Sequence, residues 1–360
     1  MLAPGDPAPW FVAPGPGMDV HLHVAAGRYV LLAFLPLQGP AREAALSALG
    51  AHRALFDDRK LAAFGVLRDE TSIRHARDQS PGLHWIFDPE GGVSRLYGAL
   101  SADGAAAPQW LVLDPALRVL ARAEIASADV VFDFLKRLPA VDDHAETGLV
   151  APVLVVPRVF EPALCRRLID YFDADGGADS GVMREVGGRT VGVMSERKKR
   201  RDAMIQDEAL RQEIRARLQR RLAPEIRKAF QFEATRLERY IVARYDCADG
   251  GFFRPHRDNT TSATRHRKFA VSINLNAEAF EGGDLRFPEF GSRTYRPPTG
   301  GAVVFSCSVL HEATPVTRGV RYACLPFLYD EAGEAIRARN LHRLVTPDAP
   351  TAPEASAHPA

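Results

Sequence analysis

The sequence predicts two domains of different class. An α/β domain occupies residues 1–138, and beyond a polar stretch at 139–150 an α+β domain runs over 151–345, with helices preceding a β-sandwich or jelly roll. Three observations predict this. The chain has 360 residues, more than one domain of ordinary size holds. Its first part alternates continuous apolar runs with amphipathic stretches, the signature of strands covered by helices on both faces. From about residue 236 to 330, short runs of period two are broken by Gly, Pro and Asn, as in two packed sheets.

Each element follows from its pattern. Tyr29–Leu35 is an uninterrupted apolar run and reads as a strand buried on both faces. Ala41–Phe56 carries Ala44, Ala45, Leu49 and Leu55 at helical spacings. Leu61–Leu67 is a second strand, Trp110–Asp114 a third, and Leu117–Leu120 returns across a turn that begins Asp114-Pro115. Asp129–Leu138 closes the domain as a helix. In the second domain, Pro152–Val156 leads to a helix with Leu164, Leu168, Ile169 and Phe172 on one face. Asp207 is an N-cap for a helix whose Leu210, Ile214, Leu218 and Leu222 recur every four residues, and Pro224 restarts the pattern. Phe269, Val271, Ile273 and Leu275 then alternate with Ser272 and Asn274, a strand with one apolar face. Residues 346–360 are rich in Ala and Pro and read as a disordered tail.

Composition narrows the function classes. A formal charge of +1 argues against nucleic acid as the default partner. Between Arg184 and Lys228 there are fourteen basic and seven acidic residues, including Lys198-Lys199-Arg200-Arg201, and this stretch reads as a solvated, salt-bridged helical region. No aromatic platform for bases is interleaved with it. Four cysteines, none before Cys165 and none spaced C-x-x-C, exclude a disulfide scaffold and a dithiol centre. The N-terminus lacks a basic segment followed by an apolar run, and no apolar run approaches the ~20 residues that cross a bilayer. The expectation is a cytoplasmic protein with no membrane partner.

The chemistry concentrates between residues 240 and 330. His256-Arg257-Asp258 places an imidazole and a carboxylate on one side of an extended segment, because residues i and i+2 share a face. His311 supplies a second imidazole. Two histidines and one carboxylate on one face of an ion leave the other face open, the arrangement of non-haem Fe(II) oxygenases. His-x-Asp alone is weak, and His144-Ala145-Glu146 in the polar stretch has a similar spacing without a strand around it. Ten residues after His311 stands Arg321, heading an apolar face with Ala323, Leu325 and Phe327. A hairpin through Pro315–Gly319 would put His311 and Arg321 on adjacent strands. A buried arginine needs an anion, and its fork suits a carboxylate.

These residues, together with Glu281-Gly282-Gly283-Asp284-Leu285, Pro298–Phe305 and Leu310–Tyr322, resemble the 2-oxoglutarate- and Fe(II)-dependent dioxygenases of the prolyl 4-hydroxylase-like branch. The resemblance implies a double-stranded β-helix (jelly roll) with iron ligands His256, Asp258 and His311. It makes Arg321 the partner of the distal 2-oxoglutarate carboxylate and Tyr245 a second contact to that co-substrate. It further implies O2 as oxidant, succinate and CO2 as co-products, L-ascorbate as a reductant and hydroxylation of a peptidyl proline, another protein side chain or a small metabolite. A basic rim formed by Arg254, Arg257, Arg265, His266, Arg267 and Lys268 would suit an acidic substrate; a solvated face fits the same residues.

Gly5-Asp6-Pro7-Ala8-Pro9-Trp10-Phe11, Phe34-Leu35-Pro36 and Ile86-Phe87-Asp88-Pro89 resemble the peroxiredoxins and imply a thioredoxin-like fold for the first domain. A thiol peroxidase needs a thiolate at the start of the helix after Phe34-Leu35-Pro36, and Leu37–Ala44 contains no cysteine. That excludes thiol catalysis and leaves a redoxin-like module for substrate presentation, partner binding or homodimerisation. The competing function is a jelly roll that binds a metal or small anion without turnover.

Overall fold

Strand Tyr29–Phe34 is buried along its whole length, as a strand covered on both faces must be. In the computed structural model, which describes residues 2–345, it is the centre of a five-stranded sheet. The order is Leu83–Phe87, Leu61–Leu67, Tyr29–Phe34, Gln109–Leu113, Val119–Glu124. The first three strands run parallel and the last two antiparallel. Helix Pro40–Ala51 packs Ala45 and Leu49, and helix Ala128–Lys136 packs Phe132 and Leu135, into a core around Trp110. This is a thioredoxin-like domain. The tail expected to be disordered lies outside the described residues.

Two elements differ from the sequence expectation. Leu83–Phe87 is a strand that the pattern hid, because His84 interrupts a short apolar run. That imidazole is held by Asp58 at 2.9 Å and Asp78 at 3.3 Å. The helix expected to reach Phe56 stops at Ala51 and continues only as a short turn, Arg53–Leu55. In its first turn, Arg42 is buried, donates to the Pro36 carbonyl at 2.7 Å and pairs with Asp69 at 3.1 Å. The peroxiredoxin-like loop is thus tied by an arginine rather than carrying a thiol.

The chain divides into two compact units at residue 151, with the short segment Phe287–Arg293 grouped with the first. In the second unit, helices Pro162–Asp175, Glu208–Arg217 and Ala223–Phe230 bury Leu164, Leu168, Phe172, Leu210, Ile214 and Ile226 in one core with Val271 and Ile273 of the sheet. Asp207 caps its helix, accepting the Leu210 amide at 3.1 Å. Pro224 does not restart the pattern after a break. A π-type turn, Leu218–Leu222, joins the two helices and keeps both leucines buried.

The sheets of this unit form the jelly roll. The larger, ten-stranded sheet runs in part Phe327–Tyr329, Phe269–Asn274, Val316–Cys324, Ile241–Asp246, Arg201–Met204. The smaller, five-stranded sheet is ordered Lys198–Lys199, Phe252–His256, His311–Ala313, Leu285–Arg286, Thr294–Tyr295.

His311 and Arg321 are not on adjacent strands of a hairpin: His311–Ala313 belongs to the smaller sheet and Val316–Cys324 to the larger, so the chain crosses between sheets at Thr314-Pro315. The basic stretch is not a helical region before Glu208; residues 182–204 form short strands joined by turns. Lys198 and Arg200 are buried whereas Lys199 and Arg201 are exposed, the period-two alternation of a strand. Among the described residues, no helix is long and apolar enough to cross a membrane.

Candidate metal centre

Strands Phe252–His256 and His311–Ala313 pair antiparallel with His256 opposite His311, and the register shifts between Phe253 and His256. Such an irregularity turns a side chain out of the regular alternation. Asp258 lies just beyond the strand, its amide donating to the Cys307 carbonyl at 3.0 Å. One ligand-capable atom from each of His256, Asp258 and His311 falls within 4.8 Å of the others. The Asp258 carboxylate is 3.7 Å from His256 Nε2 and 3.3 Å from His311 Nε2.

Both rings are oriented from behind. His256 Nδ1 lies 2.8 Å from the Arg254 carbonyl and His311 Nδ1 3.0 Å from the Val309 carbonyl. A carbonyl only accepts, so each Nδ1 carries the proton and each Nε2 presents its lone pair. Phe253 stacks on His256 with centroids 3.4 Å apart, and Phe305 lies 4.5 Å from His311. Burial, then His311, push the His256 imidazolium well below its ordinary value, which keeps the ring neutral. Burial opposes ionisation of Asp258, but His311 and His256 outweigh it and hold the carboxyl well below the usual range. Two imidazoles presenting Nε2 and one carboxylate form a donor set that suits Fe(II).

Arg321 is 2% exposed and sits in the larger sheet opposite Tyr245. Its Nε donates to Asn274 Oδ1 at 3.2 Å and its Nη2 to Ser272 Oγ at 2.8 Å. The guanidinium lies 5.1 Å from the Tyr245 ring centroid. Its bonded side-chain partners are thus neutral, and burial pushes its pKa down. Ser272 and Asn274, the polar face of a strand whose other face is core, therefore point at the arginine and not at water. The Gly282-Gly283 pair has a steric reason: a Cβ on Gly283 would lie 2.8 Å from Val316 Cγ2 and 3.2 Å from Arg321 Cδ, and both glycines adopt φ of +67°.

Beside the histidines lies a charged group that the sequence reading assigned to a solvated face. Lys198 pairs across the ladder with Phe253. Its Nζ donates to Ser180 Oγ at 2.6 Å and the Gly181 carbonyl at 2.8 Å. Arg200 binds Asp202 at 2.6 Å and reaches the Tyr245 hydroxyl at 3.4 Å. Asp202, two positions after Arg200 and so on the same strand face, was the available signal in the sequence. Burial works against ionised Asp202, but Arg200 prevails and brings its carboxyl down to about 2. A carboxylate with a depressed pKa stabilises the fold above its ordinary value of 3.8, and that contribution is lost as pH falls toward about 2. Asp202→Asn is expected to lower Tm at neutral pH and to flatten its fall between about pH 4 and pH 2, as read by circular dichroism.

The expected basic rim is only partly withdrawn from solvent. His266 is buried and Arg267 half-buried, and they share Glu238, with contacts of 2.6 Å each. Arg257 is buried as well. Arg254 and Arg265 remain exposed and Lys268 half-buried, with Arg254 over the Phe252 ring at 4.5 Å.

Comparison with known proteins matches residues 240–329 to the 2OG-Fe(II) oxygenase superfamily and residues 4–122 to the AhpC/TSA family. The chain is 31% identical over 186 residues to a PKHD-type hydroxylase of Burkholderia thailandensis, a match covering 48% of this chain and 75% of that protein. It belongs to the 2OG-Fe(II) oxygenase superfamily. A PKHD-type hydroxylase of Xanthomonas axonopodis is 27% identical over 203 residues, covering 53% of this oxygenase and 85% of the relative. A crystal structure of a Pseudomonas putida prolyl-4-hydroxylase is 25% identical and covers 52% of the oxygenase and 96% of that chain, with a TM-score of 0.38. The protein is thus a dioxygenase whose family uses Fe(II) and 2-oxoglutarate, joined to a peroxiredoxin-like domain without its thiol.

Proposed function

We propose that the protein hydroxylates an aliphatic C–H bond, with His256, Asp258 and His311 holding Fe(II). In this reading Arg321 binds the distal carboxylate of 2-oxoglutarate and Tyr245 is a second contact to it. The observation that carries the proposal is the convergence of three ligand atoms within 4.8 Å of one another, in a unit that also buries an arginine bonded to neutral side chains.

When bound, the iron supplies activation of O2 coupled to decarboxylation of 2-oxoglutarate, giving succinate, CO2 and the hydroxylated substrate. The chain supplies orientation and charge. The carbonyls of Arg254 and Val309 hold the protons on Nδ1, so both Nε2 atoms stay unprotonated. Asp258 stays ionised and brings the negative charge of the donor set. Arg321, braced by Ser272 and Asn274, fixes the far end of the co-substrate through its fork. Phe253 and Phe305 cover the imidazoles against water.

The substrate class is a peptidyl proline, another protein side chain or a small metabolite; two relatives carry the name PKHD-type hydroxylase. L-Ascorbate restores oxidised iron. Domains run 1–138, redoxin-like and non-catalytic, 139–150, linker, and 151–345, dioxygenase. The first serves substrate presentation, partner binding or homodimerisation. Four free cysteines fit a reducing cytoplasm.

Anaerobic addition of Fe(II) and then 2-oxoglutarate to the full chain is expected to develop a weak visible charge-transfer band. Admitting O2 should then release succinate. A chain that gives neither contradicts the proposal.

A further inference from the structure

The dioxygenase unit buries more positive charge beside its candidate metal centre than the proposed reaction uses. Arg200 is neutralised by Asp202 at 2.6 Å. Arg267 is neutralised by Glu238, also at 2.6 Å. Arg239 donates to the Leu325 carbonyl at 3.1 Å and lies over the Phe327 ring at 4.4 Å. On the proposed function, the iron is balanced by Asp258 and the metal-proximal carboxylate of 2-oxoglutarate, and Arg321 by the distal one. Lys198, like Arg239, is left without a carboxylate partner of its own among the described residues. It is 7% exposed and has no carboxylate at ion-pair distance among the described residues; its hydrogen-bond partners are Ser180 Oγ and the Gly181 carbonyl.

Its position connects it to the centre. The ammonium lies 4.9 Å from the centroid of the Phe253 ring, and the same ring stacks on His256. Lys198 and Phe253 face each other across the ladder in the smaller sheet, the one that also carries His256 and His311. A buried ammonium without a counter-ion is costly, and an arriving anion relieves that cost. Burial, then Arg200, push this lysine down to about 6 against the pull of Asp202 and Asp258, so a carboxylate arriving at neutral pH would also restore its proton.

We propose that Lys198 is a specificity-determining residue that receives a carboxylate of the primary substrate, so that the molecule hydroxylated is an anion. This inference rests on the iron and 2-oxoglutarate reading above and adds the charge class of the substrate. The carboxylate comes either from a free small molecule or from an acidic side chain of a polypeptide, and the two are separable by experiment.

The test uses the full chain, loaded anaerobically with Fe(II) and 2-oxoglutarate, and follows perturbation of the visible band as matched probes are added. L-Proline against L-prolinamide represents the free molecule. N-Acetyl-Ala-Asp-Ala-amide against its Asn counterpart represents the polypeptide. The expected result is that the acid of at least one pair binds on the order of tenfold or more tightly than its amide. Lys198→Met should abolish this preference and Lys198→Arg should retain it. Which pair discriminates identifies the source of the carboxylate. Equal affinity of acid and amide in both pairs, or binding of neither, overturns the inference in the wild type alone, whatever the variants do. Retention of the preference by a Lys198→Met chain that still develops the band also overturns it. A wild type that develops no band at all defeats the underlying reading instead, and this inference falls with it.

Discussion

His256→Ala is expected to abolish Fe(II)-dependent succinate formation and to weaken metal binding by at least ~100-fold. Loss even of an outer-shell partner costs about 10–100-fold in metal affinity, and His256 is a direct donor in the proposed set. The cause is geometric. The ring is held by the Arg254 carbonyl behind it and stacked on Phe253, so no nearby imidazole can replace it. Removing it leaves one histidine and one carboxylate, too few to keep iron while two positions are given to the co-substrate. Because the ring sits at a strand end and packs on Phe253 and His311 alone among the ring contacts of the described residues, the fold should persist. Unchanged far-ultraviolet circular dichroism beside lost succinate is the expected pair of results. Unchanged metal affinity would count against the assignment of His256.

Arg321→Met is the second large effect, and it acts on a different quantity. Truncating one partner of a buried charge pair costs about 2–5 kcal/mol, so the apparent affinity for 2-oxoglutarate should fall on the order of 10²- to 10³-fold. Iron binding should change little, since no atom of Arg321 belongs to the donor set. Arg321→Lys should recover only part of the loss. A lysine restores the charge but not the fork, and cannot hold Ser272, Asn274 and a carboxylate in one plane. Titration of 2-oxoglutarate against the visible band, variant by variant, measures this. Equal affinities in wild type and Arg321→Met would remove Arg321 from the co-substrate site.

The candidate site was legible in the sequence wherever residue type limits the chemistry. His-x-Asp on an extended segment, a distant second histidine and an arginine heading an apolar face suffice to nominate four residues, because few side chains bind iron or pair with a buried carboxylate. The connection between them was not legible. Pro315–Gly319 contains the turn residues of a hairpin, yet the chain crosses between sheets there. Local turn chemistry does not distinguish a return within a sheet from passage to another.

The buried charges were hidden for a related reason. Lys198-Lys199-Arg200-Arg201 has a basic composition that favours solvent, and for Lys198 only partners distant in sequence, Ser180 and the Gly181 carbonyl, turn the side chain inward. Ser272 and Asn274 looked like the wet face of a strand because nothing local announces the guanidinium they brace. In the thioredoxin-like domain, Leu61–Leu67 was plain as a continuous apolar run. Leu83–Phe87 was masked by a histidine whose two aspartate partners lie elsewhere in the chain.

A crystal structure of the full chain grown with Mn(II), as an oxygen-inert stand-in for Fe(II), and 2-oxoglutarate tests the central claim most directly. The expected result is anomalous scattering from one ion coordinated by His256 Nε2, His311 Nε2 and an Asp258 oxygen, with the distal carboxylate of 2-oxoglutarate on Arg321. An ion bound elsewhere, or a co-substrate that leaves Arg321 with only Ser272 and Asn274, would contradict it.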